Sequence, residues 1–594
     1  MRNEIEEVLI LDYQYYQKKN FLKKKLIFIN KQAYNLNKKV FIFNKFKIIK
    51  NQDFNRAQRK KNYKYLNNLH NKFVDLLTIK LNKINKCDLK KKQWNILIGS
   101  WLFYYLSTCF NRNLKLERFF KTNKNVTVYL EKSNNKIKTF STNDFLKSVH
   151  LNDSWNAEVY HELLKLMRKK IKIYNYKKKD LKENTLLEYK VSLKRKIISK
   201  VLNFFFLKLS KNNSFIIQSY LSIFEEIYLN FKINGVPLFF VPRKIKIKST
   251  DGNYERKLNC YLTNKKKDNF FNFLNKKILS DVPYVFTKYF SKLSKEVNNS
   301  KWPKNIKTIF TSNLYETDEF FKMFTALQKK NNSNYIIGQH GNSYNVTIQN
   351  EYNPELSFSD KFLSWSSIKL KKNFIPFGNF TSESRNIKKK KFFKVKKILL
   401  VLRSSGLNYE VFDRPGMNRE YKLFLLLFLK NLSSQTVSKL IIKPHFSQIN
   451  DKFLSIIKKR FENIEILKVN VSLDKYFRDD STLVIFNYDS SGLYKTFHLN
   501  KPTICFWPNG LNHLRDSSID YYKRMEKNRI FYRDPKKLSL RLENLIHNQK
   551  ISKWWFSKSN QNFIDRFNYR YNVKVGKSEK LLNLVKVLSN KILE

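Results

Sequence analysis

Cysteine, glycine and proline are all scarce in this chain of 594 residues. The four cysteines, Cys87, Cys109, Cys260 and Cys505, show neither CxxC nor Cys/His ligand spacing. That removes a disulfide framework and a zinc site from the expectation and points to a reducing compartment. No GxxxxGK(S/T) phosphate loop, GxGxxG, HExxH or GxSxG occurs, so kinase, dehydrogenase, zinc-peptidase and esterase readings lose their usual support. Long apolar runs are also missing. The best candidate, Gln93 to Asn111, is uncharged but diluted by Gln93, Asn95, Ser100, Ser107 and Thr108. A span needs about 20 predominantly apolar residues, so a buried or interfacial helix is expected. Acids at Glu4, Glu6 and Glu7, where a secretory leader would be positive, argue against a signal peptide.

Acidic residues are the minority: 48 against 117 Lys and Arg, a formal net charge of +69. Such an excess suits an anionic partner, whether nucleic acid, phospholipid surface or nucleotide-sugar. The accompanying Lys, Asn, Ile and Phe excess also looks like an AT-rich genome placing Lys wherever a surface tolerates it, so the charge selects no partner alone. Hydrophobic residues at 42% and aromatics at 15% provide ample core. The length exceeds what one core holds and predicts two or three domains.

Residues 1–225 read as mainly helical after a short extended opening at Val40–Phe43, with apolar residues at helical spacing in Leu66, Leu69, Phe73 and Leu77. From 226 to 390 the texture changes to short apolar runs between helices. Strands are predicted at Val236–Val241, Ile306–Thr311, Tyr335–Gly338, Phe362–Trp365 and Phe374–Phe377. A basic connector, Lys388 to Lys397, leads to a second such domain over 391–594. Its strands are Ile398–Leu402, Lys439–Lys443, Leu483–Phe486 and Thr503–Phe506, with helices Arg419–Leu432 and Ser491–Leu499. Alternating strands and helices predict parallel α/β sheets, two Rossmann-like domains facing a cleft.

Such sheets bind ligands beyond the carboxyl ends of their strands. Four strand ends carry suitable chemistry. In Lys443-Pro444-His445, proline stops the pairing and leaves a cation and an imidazole projecting. In Asp489-Ser490-Ser491-Gly492, a strand runs into a helix whose free amides and positive end form an anion site, with two hydroxyls added. Asp489 or Ser490 could equally be a simple helix cap. In Gly338-Gln339-His340-Gly341, two glycines permit a tight turn and close approach of a ligand, and a neutral imidazole suits a base for a hydroxyl. Arg403, just past a strand, could pair with a phosphate. The acids Glu316, Asp318 and Glu319 stand in reserve as bases, although acids near a helix start commonly serve the dipole.

Lys443-Pro-His445, followed by Asn-Tyr-Asp-Ser-Ser-Gly492, a helix and Asn500-Lys501-Pro502, resembles the C-terminal half of CDP-glycerol glycerophosphotransferases and bacterial Kdo and sialyl transferases. A closer likeness, over roughly 450 residues, is to a transferase family encoded in bacterial surface-polysaccharide gene clusters. It is carried by Leu66-Asn67-Asn68-Leu69-His70, by Trp94 through Gly99 to Trp101-Leu102 and on to Asn111-Arg112, by the Gly338–Gly341 turn, and by Ser359-Asp360 to Trp365. The resemblance implies a GT-B-like α/β fold and a cytoplasmic enzyme, peripheral on the inner face of the membrane. It would move a sugar, sugar acid or polyol phosphate from a nucleotide-sugar or CDP-polyol donor to a glycan or lipid-linked acceptor. Arg403, Lys443, His445, Ser490 and Ser491 would then hold the donor phosphates, and His340 and Gln339 would be catalytic. Neither cofactor nor metal is expected. A basic nucleic-acid-binding protein and a GT-B-fold nucleotide-sugar epimerase are the alternatives, though no nucleic-acid-binding module is recognisable.

Overall fold

The structure is a computed structural model. It describes the chain apart from residues 1–5, 12–22, 31–32, 35–36, 38–44, 50–53, 125, 133–138, 152, 176–190, 247–261, 265–267, 342–343, 382–393, 405–411, 413–418, 446–447, 449–451, 509 and 591–594. The opening at Val40–Phe43 and most of the connector from Lys388 lie outside the described residues.

Among the described residues, sixteen strands form three parallel sheets. The first contains β1 (Glu7–Ile10), β2 (Lys25–Phe28), β3 (Phe46–Ile48), β4 (Thr127–Lys132) and β5 (Ile171–Asn175), in the order β3-β2-β1-β4-β5. The second contains β6 (Ser214–Ile216), β7 (Thr308–Thr311), β8 (Asn334–Gly338), β9 (Lys361–Ser364) and β10 (Phe374–Pro376), in the order β10-β9-β8-β7-β6. The third contains β11 (Lys397–Val401), β12 (Leu440–Lys443), β13 (Glu465–Ile466), β14 (Thr482–Phe486), β15 (Thr503–Phe506) and β16 (Phe531–Tyr532), in the order β13-β12-β11-β14-β15-β16. The principal helices are α1 (Arg56–Asn85), α2 (Lys91–Thr122), α3 (Leu193–Phe206), α4 (Ile223–Asn234), α5 (Arg419–Lys430), α6 (Ser491–His498), α7 (Asp516–Lys527) and α8 (Lys577–Leu588).

The second and third sheets are the two Rossmann-like units expected. The helical N-terminal region also carries a parallel sheet of its own, not foreseen in the sequence, with strands of three to six residues, of which β3 and β5 have a lysine within them. The second sheet starts at Ser214, upstream of the boundary expected at 226. Val236–Val241 is not a strand. Pro237 and Pro242 deprive it of ladder donors, and the side chain of Asn203 pairs with Phe239 instead, donating to its carbonyl (2.9 Å) and accepting from its amide (3.3 Å).

The helix α2 runs through the protein interior. Every residue from Gln93 to Phe110 except Tyr104 is buried. Three of the polar residues that dilute its hydropathy bond to neighbouring elements: Gln93 donates to the Ala326 carbonyl (2.8 Å), Asn95 to Ser357 Oγ (3.0 Å) and Ser100 to the Tyr315 carbonyl (3.0 Å). Among the described residues, no helix is long and apolar enough to cross a membrane. The helix α1 begins with a capping box between Asn55 and Gln58 and ends on Lys86 in the left-handed region.

Alternation along the strands of the second sheet assigns its two faces. Phe215, Ile309, Tyr335, Ile337 and Phe362 join a core with the N-terminal helices, while Ile216, Phe310, Ile336 and Leu363 join the core of the third sheet. This sheet is therefore the middle layer of the molecule. The chain end returns to it: Val573 donates to the Trp365 carbonyl (2.8 Å), and α8 reaches α4 through a Lys580–Glu225 ion pair (2.6 Å). A short antiparallel bridge, Thr347 with Leu514, and the bond from Arg515 N to the Val346 carbonyl (2.9 Å) tie the two Rossmann-like units across their carboxyl edges.

Candidate active site between two strand ends

The strand β8 ends at Gly338, where a Cβ would lie 2.6 Å from Phe380 Cζ and 2.8 Å from Ser312 Oγ, so only glycine fits. Gln339 follows, with a side chain only 2% exposed. Its Oε1 accepts from the Trp365 amide (2.9 Å) and Ser364 Oγ (3.3 Å), while Nε2 donates to the Gly341 carbonyl (2.7 Å). Gln339 thus shapes the turn against β9. Its polar atoms are all engaged by the protein, which suits a positioning role for this residue, expected to be catalytic.

His340 projects from this turn among three tyrosines: Tyr220 stacked on it at 6.0 Å, Tyr315 at 6.2 Å and Tyr344 at 6.3 Å between ring centroids. Its Nδ1 is buried and has no hydrogen-bond partner among the described residues. His340 and Gly341 open onto a cavity of about 290 Å³, together with Ser100, Phe103 and Tyr104 of α2, Glu316, Glu355 and Ser491. Glu355 is 3% exposed, and its Oε1 accepts from Tyr344 (2.6 Å), Tyr315 (3.1 Å) and Asn353 (3.1 Å). Burial raises its pKa above the usual carboxylate range, against the pull of the Tyr344 bond. Glu316 accepts from the Tyr104 hydroxyl. Of the reserve acids, only Glu316 lines the cavity. Asp318 caps a helix through the Phe321 amide, and Glu319 holds the Thr142 amide.

The facing wall comes from the third sheet. Ser490 caps α6 by accepting from the Gly492 amide (3.1 Å), and Asp489 is held by the Tyr522 hydroxyl (3.0 Å) and His513 (3.2 Å). Capping and exposure divide between the two serines: Ser490 is buried, while Ser491 is exposed and meets the cavity. A Cβ added to Gly341 would lie 3.3 Å from Ser491 Oγ, so the two turns almost touch.

The remaining residues expected to bind phosphate sit on the same carboxyl edge without lining the cavity. The Arg403 amide donates to Asn487 Oδ1 (2.9 Å), and its guanidinium donates to the Tyr421 hydroxyl (2.6 Å) at the start of α5. Asn487 Nδ2, beside it, is buried without a partner among the described residues. Lys443, expected to bind phosphate, is 8% exposed, and its ammonium donates to the carbonyls of Pro444 (3.0 Å) and Val469 (2.7 Å). The His445 amide donates to Gln448 Oε1 (2.8 Å). Burial, with the Lys443 charge second, pushes the His445 imidazole down to about 4, leaving it neutral near pH 7.

Glu355, Tyr220, Tyr315 and Tyr344 were not foreseen. Their sequence signal is only nearness to a strand end or to the glycine-bracketed turn. The other resembling motifs turn out to be packing: His70 Nε2 lies 3.1 Å from the Gly99 carbonyl, Arg112 is fully buried and bonded to Asn156 Oδ1 (2.9 Å), and Asp360 accepts from the Tyr335 amide (2.7 Å) and Lys329 (2.9 Å).

Among solved structures, the chain is similar to an S. aureus MnaA–UDP complex at 11% identity and a TM-score of 0.35, covering 64% of this chain and 97% of that one. Medicago truncatula UGT71G1 complexed with UDP-glucose matches at 10% identity and a TM-score of 0.21, covering 99% of both chains. No curated protein sequence matches it. A family model described as LIC12162 family transferase matches residues 10–585, and the chain belongs to that family of transferases.

Proposed function

We propose that this transferase moves a sugar or polyol phosphate from a nucleotide-activated donor to a hydroxyl of a surface-glycan or lipid-linked acceptor, at the inner face of the cytoplasmic membrane. The observation that carries the reading is the closeness of Gly341 to Ser491, where a Cβ added to the glycine would lie 3.3 Å from Ser491 Oγ, which brings an imidazole-bearing turn to the start of a helix. The helix amides and positive end of α6, with Ser491, suit a diphosphate. Arg403 and the unpartnered Asn487 Nδ2 stand on the same edge. His340 faces the cavity that would take the acceptor. In the reaction, the acceptor oxygen bonds to the donor's reacting carbon or phosphorus, that centre's bond to the nucleotide phosphate breaks, and the hydroxyl proton passes to His340.

The cavity also bears on substrate class. Among the described residues, its lining includes Glu316 and Glu355 and no Lys or Arg. A hydroxyl-rich neutral group suits it better than a sugar acid, whose carboxylate would face two acids. Titration calorimetry with CMP, CDP, UDP, GDP and dTDP tests the donor half. At least one nucleotide should bind, and Ser491→Ala should weaken it about tenfold, the loss of one charge-assisted hydrogen bond. Unchanged affinity in Ser491→Ala would remove α6 from the donor site.

A further inference from the structure

The surface formed by α3 and α4 reverses the usual order of a helix face. Nineteen large apolar side chains are exposed on the described surface, and ten of them fall between Leu193 and Phe231. On α3, Leu193, Ile197, Val201, Phe204 and Phe205 are 48–77% exposed, while Ser199 is the only buried residue of that helix. At 100° per residue these five fall within an arc of about 120°. On α4, Phe224, Tyr228 and Phe231 follow the same spacing, with Phe224 at 82% exposure. The helices adjoin, since Arg195 of α3 lies 3.9 Å from Glu226 of α4.

From residue 193 to residue 232 the exposed charges are of one sign. Lys194, Lys196, Lys200, Lys208, Lys211 and Lys232 are exposed. The two acids of this stretch turn inward: Glu225 pairs with Lys580 (2.6 Å), and Glu226, 1% exposed, accepts from the Ser219 hydroxyl (2.5 Å). The patch also reaches the candidate site. Tyr220, just before α4, is 52% exposed, holds a left-handed backbone (φ 65°), and stacks on His340.

We propose that the α3–α4 face docks on a bilayer of anionic phospholipid, its aromatic and aliphatic side chains entering the headgroup boundary and its lysines meeting lipid phosphates. Apolar anchors fringed by lysine are the chemistry of interfacial binding. A second copy of the chain would set lysine against lysine, whereas anionic headgroups are complementary. Docking through this face puts the His340 cavity at the membrane surface, where a lipid-linked hydroxyl could enter beside Tyr220. That last consequence rests on the proposed function, but the docking does not.

Flotation of the full-length protein with vesicles tests it. The chain should float with phosphatidylglycerol-containing vesicles, more weakly with pure phosphatidylcholine, and less as salt rises. The Phe204→Ser/Phe205→Ser/Phe224→Ser variant should lose at least about tenfold in partitioning, since each buried ring contributes by its area, with its melting temperature unchanged. Lys194→Glu/Lys196→Glu/Lys200→Glu should lose binding to the anionic vesicles while keeping the apolar residues. Failure of the wild type to float, undiminished flotation of either variant, or a serine variant that merely turns a dimer into a monomer would overturn the proposal. Calorimetric nucleotide affinity, read separately on the same proteins, reports on the transferase reading whichever way flotation falls.

Discussion

Replacing Gln339 by methionine keeps the volume of the side chain and removes its three hydrogen bonds. The Trp365 amide, in the interior, and the partly buried Gly341 carbonyl lose their partners at 2.9 and 2.7 Å. A polar group left unsatisfied in the interior costs about 1–3 kcal/mol, so two such groups, one of them half-exposed, predict a loss of about 2–4 kcal/mol. Ser364 Oγ retains its bond from Asn345 Nδ2 (3.0 Å) and adds little. Urea unfolding followed by tryptophan fluorescence suits the question, because Trp365 is itself a partner. The functional consequence should be selective: nucleotide affinity unchanged and the transfer rate down by about tenfold to a hundredfold, as the turn that carries His340 loses its register. If Gln339→Met is as stable as the wild type, the hydrogen bonds do not hold the turn. If it abolishes nucleotide binding, Gln339 contacts the donor and the positioning role is refuted.

Three further outcomes follow from burial. Glu226 has its pKa raised by burial from 4.5 to about 7, so its neutral form is the one the fold favours. Stability from this group is complete below pH 4.5 and lost as pH rises through 7. Denaturation at pH 5 and pH 8 should therefore show Glu226→Gln gaining up to about 3 kcal/mol on the wild type only at the higher pH. His445, held neutral down to about pH 4, should give nucleotide binding no inflection near pH 6.5, and an inflection abolished by His445→Ala would contradict its burial. Gly338→Ala would push a methyl within 2.6 Å of Phe380 and should destabilise by about 1–3 kcal/mol in thermal melts, and a variant of normal stability would show that the β8 turn has room.

Most strands of the second and third sheets were legible because apolar runs such as Ile398–Leu402 and Leu483–Phe486 are buried on both faces and end at polar turns, whereas β6, β13 and β16, of two or three residues, were not. The first sheet was not, because β3 (Phe-Lys-Ile) and β5 (Ile-Lys-Ile-Tyr-Asn) carry the Lys and Asn that fill the whole sequence. Strand-end logic singled out His340 and Ser491, which line one cavity, since position after a strand is a sequence property. It could not show that the Lys443 ammonium is held by carbonyls 1 and 26 residues away. Nor could it find Glu355, which follows no strand and yet lines the same cavity as His340.

Initial-rate assays of donor turnover with wild type and His340→Ala, alongside nucleotide calorimetry, test the central claim most directly. A base in the cleft predicts nucleotide binding preserved within about twofold and transfer reduced by about 10²–10⁴-fold. Equal transfer by the two proteins would contradict the assignment of the cleft between Gly341 and Ser491 as the place of reaction.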